Sequence, residues 1–135
     1  MRDTLVSFFD AIDAHDWAGM RQTLSDTVIL NATAVGRPRH EVSGDELVSL
    51  SRATGGGFTW TSHHPIHVRE EPSGLTCDLV AVHYLPIPSG ENWFTLIRGI
   101  RVGFDTGGRI NRLDTLLEQQ TGNAALLNIA RQAGS

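Results

Sequence analysis

Three histidines lie close together in one segment of the chain, His63, His64 and His67, and the segment has the composition of a β-strand. Adjacent side chains of a strand point to opposite faces, so one of His63 and His64 faces any interior that the strand helps to enclose. Histidine can exchange protons near neutral pH. His63 and His67 share a face but stand about 13 Å apart, too far for one metal ion. The cluster favours acid–base chemistry over a metal site, although a histidine held by structural hydrogen bonds remains an alternative.

Other candidate residues lie on neighbouring segments. Trp60, Tyr84 and Trp93 can line a wall for a flat or polycyclic ligand. Arg101 can bind a carboxylate, an enolate or a phenolate oxygen, and Asn31 can hold a water molecule or a substrate oxygen. Each has a structural alternative: core packing for the aromatic residues, an ion pair for the arginine, and an ordinary hydrogen-bonded amide for the asparagine.

The composition excludes several classes of protein. All 11 basic residues are arginines, so Schiff-base catalysis by a lysine is excluded. Cys77 is the only cysteine, which leaves no disulfide framework. The net charge of −4 argues against nucleic acid as a partner, and no apolar run reaches the roughly 20 residues of a membrane span. We expect one cytoplasmic domain, residues 1–135, with no cofactor.

Local patterns predict three helices. Apolar residues from Leu5 to Ile12 recur at helical spacing, with Asp3 as a candidate N-cap. Asp16 can cap a second helix. Residues 43–46, SGDE, form a capping box for a third.

Strands are predicted over most of the rest of the chain. The predicted strands are residues 27–33, 58–69, 75–85, 93–104 and 109–116. Pro65 indicates an edge strand or a bulge. Residues 36–40 (GRPRH) and 86–90 (PIPSG) are predicted as a loop and a turn, 105–108 (DTGG) as a tight turn, and 121–131 as a short helix or tail. This order predicts an α+β fold with helices on one face of a mostly antiparallel sheet.

Four stretches carry a resemblance to a known family: residues 26–31 (DTVILN), 43–46 (SGDE), 74–99 and 107–118 (GGRINRLDTLLE). In this order they resemble the limonene-epoxide hydrolases, from the SnoaL-like branch of the nuclear-transport-factor-2-like (NTF2-like) superfamily. The resemblance implies a cone-shaped curved sheet capped by helices, a deep pocket between them, and a homodimer formed through the sheet.

The chain departs from the hydrolases at their charged residues. The alignment places Val80 and Val82 where the family has an arginine and an aspartate, and Ile29 where it has a tyrosine. A second aspartate falls on Thr115, and only the asparagine is kept, as Asn31. Epoxide hydrolysis needs a base and an acid, so that mechanism is disfavoured unless another group, such as Asp78, has taken over as base.

The resemblance also implies which residues face the pocket. If Val80 and Val82 face it, Asp78 and Tyr84 do so too, and the family register places Arg101 inward on the next strand. The alternating residues then point outward; these are Cys77, Leu79, Ala81 and His83.

Asp114 is the carboxylate that the resemblance singles out. SnoaL-like cyclases and related dehydratases and isomerases place a general acid or base aspartate on this closing strand, and dehydratase relatives use a histidine at the position of His63 or His64. A one-residue slip in the preceding turn would put Asp114 inward; without it, Thr115 faces the pocket. A carboxylate that is solvated or paired with Arg112 is the structural alternative.

These observations predict a cofactor-independent enzyme of the cyclase, isomerase or dehydratase kind, acting on a hydrophobic polyketide- or terpenoid-like molecule in bacterial secondary metabolism. Asp114, His63 or His64 would move a proton, and Asn31, Tyr84 or Arg101 would stabilise the oxyanion. The alternatives are a non-catalytic ligand-binding or dimerisation module, and an epoxide hydrolase with relocated catalytic groups.

Overall fold

The computed structural model describes residues 1–32, 37–55, 60–84, 92–115 and 119–123. Three helices precede or interrupt a seven-stranded sheet. The elements are α1 (Arg2–Asp13), α2 (Trp17–Gln22), β1 (Leu24–Ala32), β2 (Arg37–Ser43), α3 (Gly44–Gly55), β3 (Trp60–Glu71), β4 (Gly74–Tyr84), β5 (Asn92–Phe104), β6 (Ile110–Thr115) and β7 (Gln119–Asn123). None of the helices within these ranges is long and apolar enough to span a membrane.

The strands pair in the order β2-β1-β6-β5-β4-β3, and β7 adds to β5. The pairing of β1 with β6 is parallel and the others are antiparallel. The predicted α+β fold with a mostly antiparallel sheet is therefore confirmed. The strand that contains Pro65, β3, lies at the end of this order and has a register shift, as the proline indicated.

Local sequence signals place the helix starts with one exception. The Asp16 carboxylate accepts the Gly19 N–H at 2.9 Å and caps α2, and the Ser43 hydroxyl accepts the Glu46 N–H at 3.0 Å at the start of α3. The expectation that Asp3 is the N-cap of α1 is wrong: the helix begins at Arg2, and Asp3 lies in its first turn, where a carboxylate still complements the helix dipole.

Two segments form strands that the sequence did not predict. Residues 37–43 include most of the predicted loop 36–40, but they pair with β1 and bring Val42 opposite Val28, with both side chains buried. Pro38 is tolerated because β2 is an edge strand. Residues 119–123 pair with β5, although a short helix or tail was expected from residue 121 onward. The rest of that tail and the predicted PIPSG turn lie outside the described residues. The DTGG turn is confirmed, since the Asp105 N–H donates to the Arg109 carbonyl at 2.8 Å.

The sheet has two faces with different surroundings. Cys77 and Leu79 belong to one buried cluster with Phe8 and Phe9 of α1, and we call this side the helix face. Val80 and Val82 alternate with them and lie on the opposite side, which we call the outer face; both are fully buried there. The expectation that these two valines face the helices and that Cys77 points away is therefore wrong. The side chains that pack on α1 are those of Cys77 and Leu79, which alternate with the two valines along the strand.

Two bulges flank Asp78 and change the side-chain alternation. Residues 98 and 99 of β5 stand opposite Asp78 alone, and residues 67 and 68 of β3 stand opposite Cys77. His67 and Gly99 both have positive φ, at 52° and 70°. The carboxylate of Asp78 accepts the Gly99 N–H at 3.0 Å and contacts His67 Nδ1 at 2.8 Å. Asp78 thus ties β4 to both neighbouring strands where their registers shift.

The Cys77 thiol is expected to be inert in the folded protein. It is 3% exposed, and burial, with a contribution from the neighbouring Asp78, raises its pKa to about 12. The thiolate is the reactive form of cysteine. A thiol reagent such as 5,5′-dithiobis(2-nitrobenzoate) should therefore label the chain only after denaturant unfolds it. Stoichiometric labelling of the native protein at neutral pH would contradict this packing.

Candidate functional site

A carboxylate–imidazole pair joins the helices to the sheet. Asp13 is the last residue of α1, and its Oδ1 lies 2.6 Å from Nδ1 of His63 on β3. The same carboxylate accepts the Thr61 hydroxyl at 3.0 Å, and its Oδ2 accepts the backbone N–H of His63 at 2.8 Å. Three donors from one strand thus converge on Asp13, which fixes the end of α1 against β3.

Packing holds the imidazole ring from a second direction. The ring of Phe9 stacks on His63 with 5.3 Å between centroids and 11° between planes. Phe9 is itself buried in the core with Leu5 and Phe8, because the apolar residues of α1 recur at helical spacing and pack on the sheet. The side chains of His63 and Asp13 are 14% and 19% exposed. The ring is therefore oriented by a hydrogen bond at one edge and by an aromatic face.

The contact with Asp13 selects the tautomer of His63. An ionised carboxylate can only accept hydrogen bonds, so this contact favours the tautomer that carries its proton on Nδ1, in which Nε2 is the basic nitrogen. The pair has the chemistry of a general acid or base with an orienting group.

The other two histidines of the segment have different partners. His64 Nε2 contacts the hydroxyl of Ser62, and His64 pairs in register with Val80, on the outer face. His67 lies in the bulge beside Asp78. The three rings therefore occupy three separate environments. Among the residues that the structure describes, no group of three or more histidine, cysteine or acidic side chains could hold a metal ion.

Asp114 lies on the outer face, away from the helices. Its neighbour Leu113 packs against the core and pairs with Leu30 and Val102, so the next residue points the other way. Asp114 is 4% exposed, and its Oδ2 is 2.8 Å from both Nε and Nη2 of Arg112. The structure therefore does not bring Asp114 together with His63.

Asp114 and His64 are both on the outer face, but they lie far apart on it. Asp114 is on β6 and His64 on β3, three strands apart in the sheet order, which is about 14 Å at the usual strand spacing. Asn31 pairs in register with Asp114. Asp114 and Asn31 thus belong to one region of the outer face, and the Asp13–His63 pair lies on the other side of the sheet.

The bulge at Gly99 redirects Arg101. Ile97 pairs with Leu79 on the helix face, but the extra residue reverses the alternation, so Arg101 pairs with Thr76 and Asp114 and is exposed on the outer face. The expectation that Arg101 points inward is therefore wrong. The side chains of Trp60, Tyr84, Trp93 and Thr115 lie outside the described part of the structure, so the predicted aromatic wall stays a prediction.

Sequence reasoning did not find Asp13. It ends an amphipathic helix among other acidic residues, Asp10 and Asp16, and nothing in the local pattern separates it from a solvated carboxylate. Only the crossing of α1 over β3 shows its partner.

Structural comparison identifies the architecture. A proposed polyketide cyclase from Xanthomonas campestris pv. campestris superposes with a TM-score of 0.68 at 15% identity, covering 87% of this chain and 89% of that one. An NTF2-like protein of unknown function from Exiguobacterium sp. 255-15 superposes with a TM-score of 0.66 at 13% identity, covering 85% and 98%. The fold is NTF2-like. The fold implied by the resemblance in the sequence is thereby confirmed.

One further match is a complex with a ligand. RV0760c from Mycobacterium tuberculosis, in complex with estradiol-17β-hemisuccinate, superposes with a TM-score of 0.66 at 14% identity, covering 85% of this chain and 91% of that one. No protein-family model and no curated protein matches the sequence. At these identities the similarity extends to the fold, and the chemistry must be argued from the residues of this chain.

Proposed function

We propose that this protein is a cofactor-independent acid–base enzyme of the cyclase, isomerase or dehydratase kind, acting on a hydrophobic polyketide- or terpenoid-like molecule. His63 Nε2 takes a proton from a carbon beside a carbonyl group and returns it to the product, and Asp13 orients the ring. The 2.6 Å contact between Asp13 and His63, at the boundary between α1 and the sheet, carries this proposal.

The contacts of the other candidates support His63 as the proton-transfer group. Both carboxylate oxygens of Asp78 are engaged, by His67 and by the Gly99 N–H. Burial acts to raise the pKa of Asp78, but these two bonds together with the charges of His67 and Arg98 lower it below the ordinary value. Asp78 is therefore a poor base for an epoxide hydrolase with relocated groups. Asp114 is held by Arg112 on the opposite face. The homodimer through the sheet stays a prediction.

The test uses two ketones as probes, 2-tetralone and estrone, because both exchange protons beside the carbonyl through an enolate. Each is incubated with the protein in D₂O, and deuterium incorporation is followed by mass spectrometry. We expect the protein to accelerate exchange above the buffer rate, and His63→Gln to return it to that rate. His64→Gln is the matched control, since it alters the adjacent ring on the other face, and we expect it to retain the acceleration.

Three outcomes would contradict the proposal. Exchange that survives in His63→Gln, or that is lost equally in His64→Gln, would remove His63 from the mechanism. If neither ketone is accelerated but estradiol-17β-hemisuccinate binds in a calorimetric titration, the non-catalytic ligand-binding module is favoured. Thermal unfolding of each variant, followed by circular dichroism, separates a loss of chemistry from a loss of fold.

A further inference from the structure

The hydroxyl of Thr61 takes part in the contact between Asp13 and His63, but the proposed reaction assigns it no role. Thr61 and His63 are two residues apart on β3, so their side chains share a face and leave the strand about 6.6 Å apart. Both side chains reach the same oxygen of Asp13: Oδ1 lies 3.0 Å from Thr61 Oγ1 and 2.6 Å from His63 Nδ1. The backbone N–H of His63 donates to Oδ2 at 2.8 Å. The carboxylate is therefore held by three bonds, which fix both its position and its plane.

Thr61 is the one residue besides His63 that donates to this carboxylate within the described ranges of the chain. It is 6% exposed, so little water can take the place of its hydroxyl. A hydroxyl has a single proton to donate, and Asp13 receives it. Because threonine is β-branched, few rotamers are open to it and the hydroxyl is held in place before the bond forms.

We infer that Thr61 is a positioning residue for His63 that acts through Asp13, and this inference rests on the proposed function. The hydroxyl keeps Oδ1 in front of Nδ1, which favours the tautomer whose Nε2 is basic. A methyl group in its place would lie closer to Oδ1 than the ordinary contact distance of about 3.5 Å and would donate nothing. The carboxylate, which is 19% exposed, would then turn toward solvent. Without that acceptor, the ring proton distributes between both nitrogens of His63.

The first measurement is the tautomer of His63, read from the ¹⁵N shifts of its ring in the full chain, with no ketone present and the imidazole neutral. We expect Thr61→Val to change the ratio of the two tautomers about fivefold toward the one with its proton on Nε2. Thr61→Ser keeps the hydroxyl and should stay close to the wild-type ratio. Thr23→Val is the matched control. Thr23 is also buried, but its hydroxyl donates to the Met20 carbonyl at 2.7 Å, so this variant loses a buried hydrogen bond and should keep the wild-type shifts.

The second measurement is deuterium exchange of 2-tetralone as a function of ketone concentration. We expect Thr61→Val to lower kcat by about tenfold and to leave KM within about twofold, because Thr61 acts on the base and not on the bound ketone. Thr61→Ser should recover most of the wild-type rate. If Thr61→Val fails to fold, Thr61→Ala replaces it, since alanine removes the hydroxyl without placing a methyl group against Oδ1.

Four results would overturn the inference. The wild-type ring may carry its proton on Nε2 already, or Thr61→Val may keep the wild-type tautomer ratio or the wild-type kcat. Equal losses in Thr61→Ser and Thr61→Val, or a tautomer change as large in Thr23→Val, would show that the hydroxyl of Thr61 does not position the ring. A wild-type protein that exchanges no ketone would instead remove the proposed function and leave the tautomer measurement intact, so the two failures are distinguishable.

Discussion

Asp13→Asn is expected to lower the rate constant for ketone exchange by about 100-fold or more, because an amide cannot satisfy His63 and the strand together. With the amide oxygen in the place of Oδ1, its NH₂ group faces the backbone N–H of His63, and two donors oppose each other. With the amide reversed, the NH₂ group faces Nδ1 and stabilises the tautomer whose Nε2 carries the proton. That tautomer cannot act as a base at Nε2.

The two roles of Asp13 can be separated experimentally. Asp13→Ala should reduce the free energy of unfolding by about 3 kcal/mol, measured by urea denaturation, since three hydrogen bonds to a largely buried carboxylate are lost. A purely structural role would leave the exchange rate of folded Asp13→Asn intact. The ¹⁵N shifts of the His63 ring report the tautomer directly. Asp10→Asn, one turn earlier on α1, provides the matched control. If Asp13→Asn exchanges the ketone protons at the wild-type rate and its His63 ring keeps the wild-type tautomer, an orienting role for Asp13 is contradicted.

Local signals predicted most of the elements because each depends on nearby residues. The Asp16 cap, the Ser43 capping bond and the DTGG turn all involve groups within four residues. The strands β2 and β7 were missed because their apolar content is low, and pairing with β1 and β5 determines them. A Pro-containing, charged segment such as residues 37–40 has no strand signal of its own.

The candidate site was less predictable because it depends on contacts between distant segments. His63 was identified from its residue type, but its partner Asp13 is 50 residues away. The family register implied that Arg101 points inward, and the bulge at Gly99 reverses the strand alternation on which that register depends. A bulge of this kind depends on a side chain of the neighbouring strand, Asp78, which accepts the freed N–H. Periodicity along one strand cannot reveal it.

Asp78→Ala should lower the free energy of unfolding by about 2 kcal/mol, because one carboxylate supports two bulges. Its removal leaves the Gly99 N–H without its acceptor and releases His67, whose positive φ is unfavourable for a residue with a Cβ atom. Asp26→Ala is the matched control. Asp26 has a side chain that is 92% exposed and pairs with Arg21, and such a surface pair contributes about 0.5 kcal/mol or less. Equal losses in the two variants, measured by urea denaturation, would show that Asp78 does not support the bulges.

The charge of Asp78 makes the free energy of unfolding depend on pH, and replacement by asparagine should abolish this contribution. Burial acts to raise the pKa of Asp78, but the bonds from His67 and the Gly99 N–H lower it below the ordinary value. The pKa of Asp78 is lower in the folded protein than in the unfolded chain, where it is about 3.9. The contribution of the charged Asp78 to stability is therefore complete above that unfolded-state pKa, and it is lost as the pH falls through the pKa of Asp78 in the folded protein.

Asp78→Asn keeps an acceptor for Gly99 and a donor for a neutral His67 ring, so it should retain more stability than Asp78→Ala at pH 7. Its unfolding free energy should also fall less steeply than that of the wild type below about pH 4. An unchanged slope in Asp78→Asn would assign the acid sensitivity to other carboxylates.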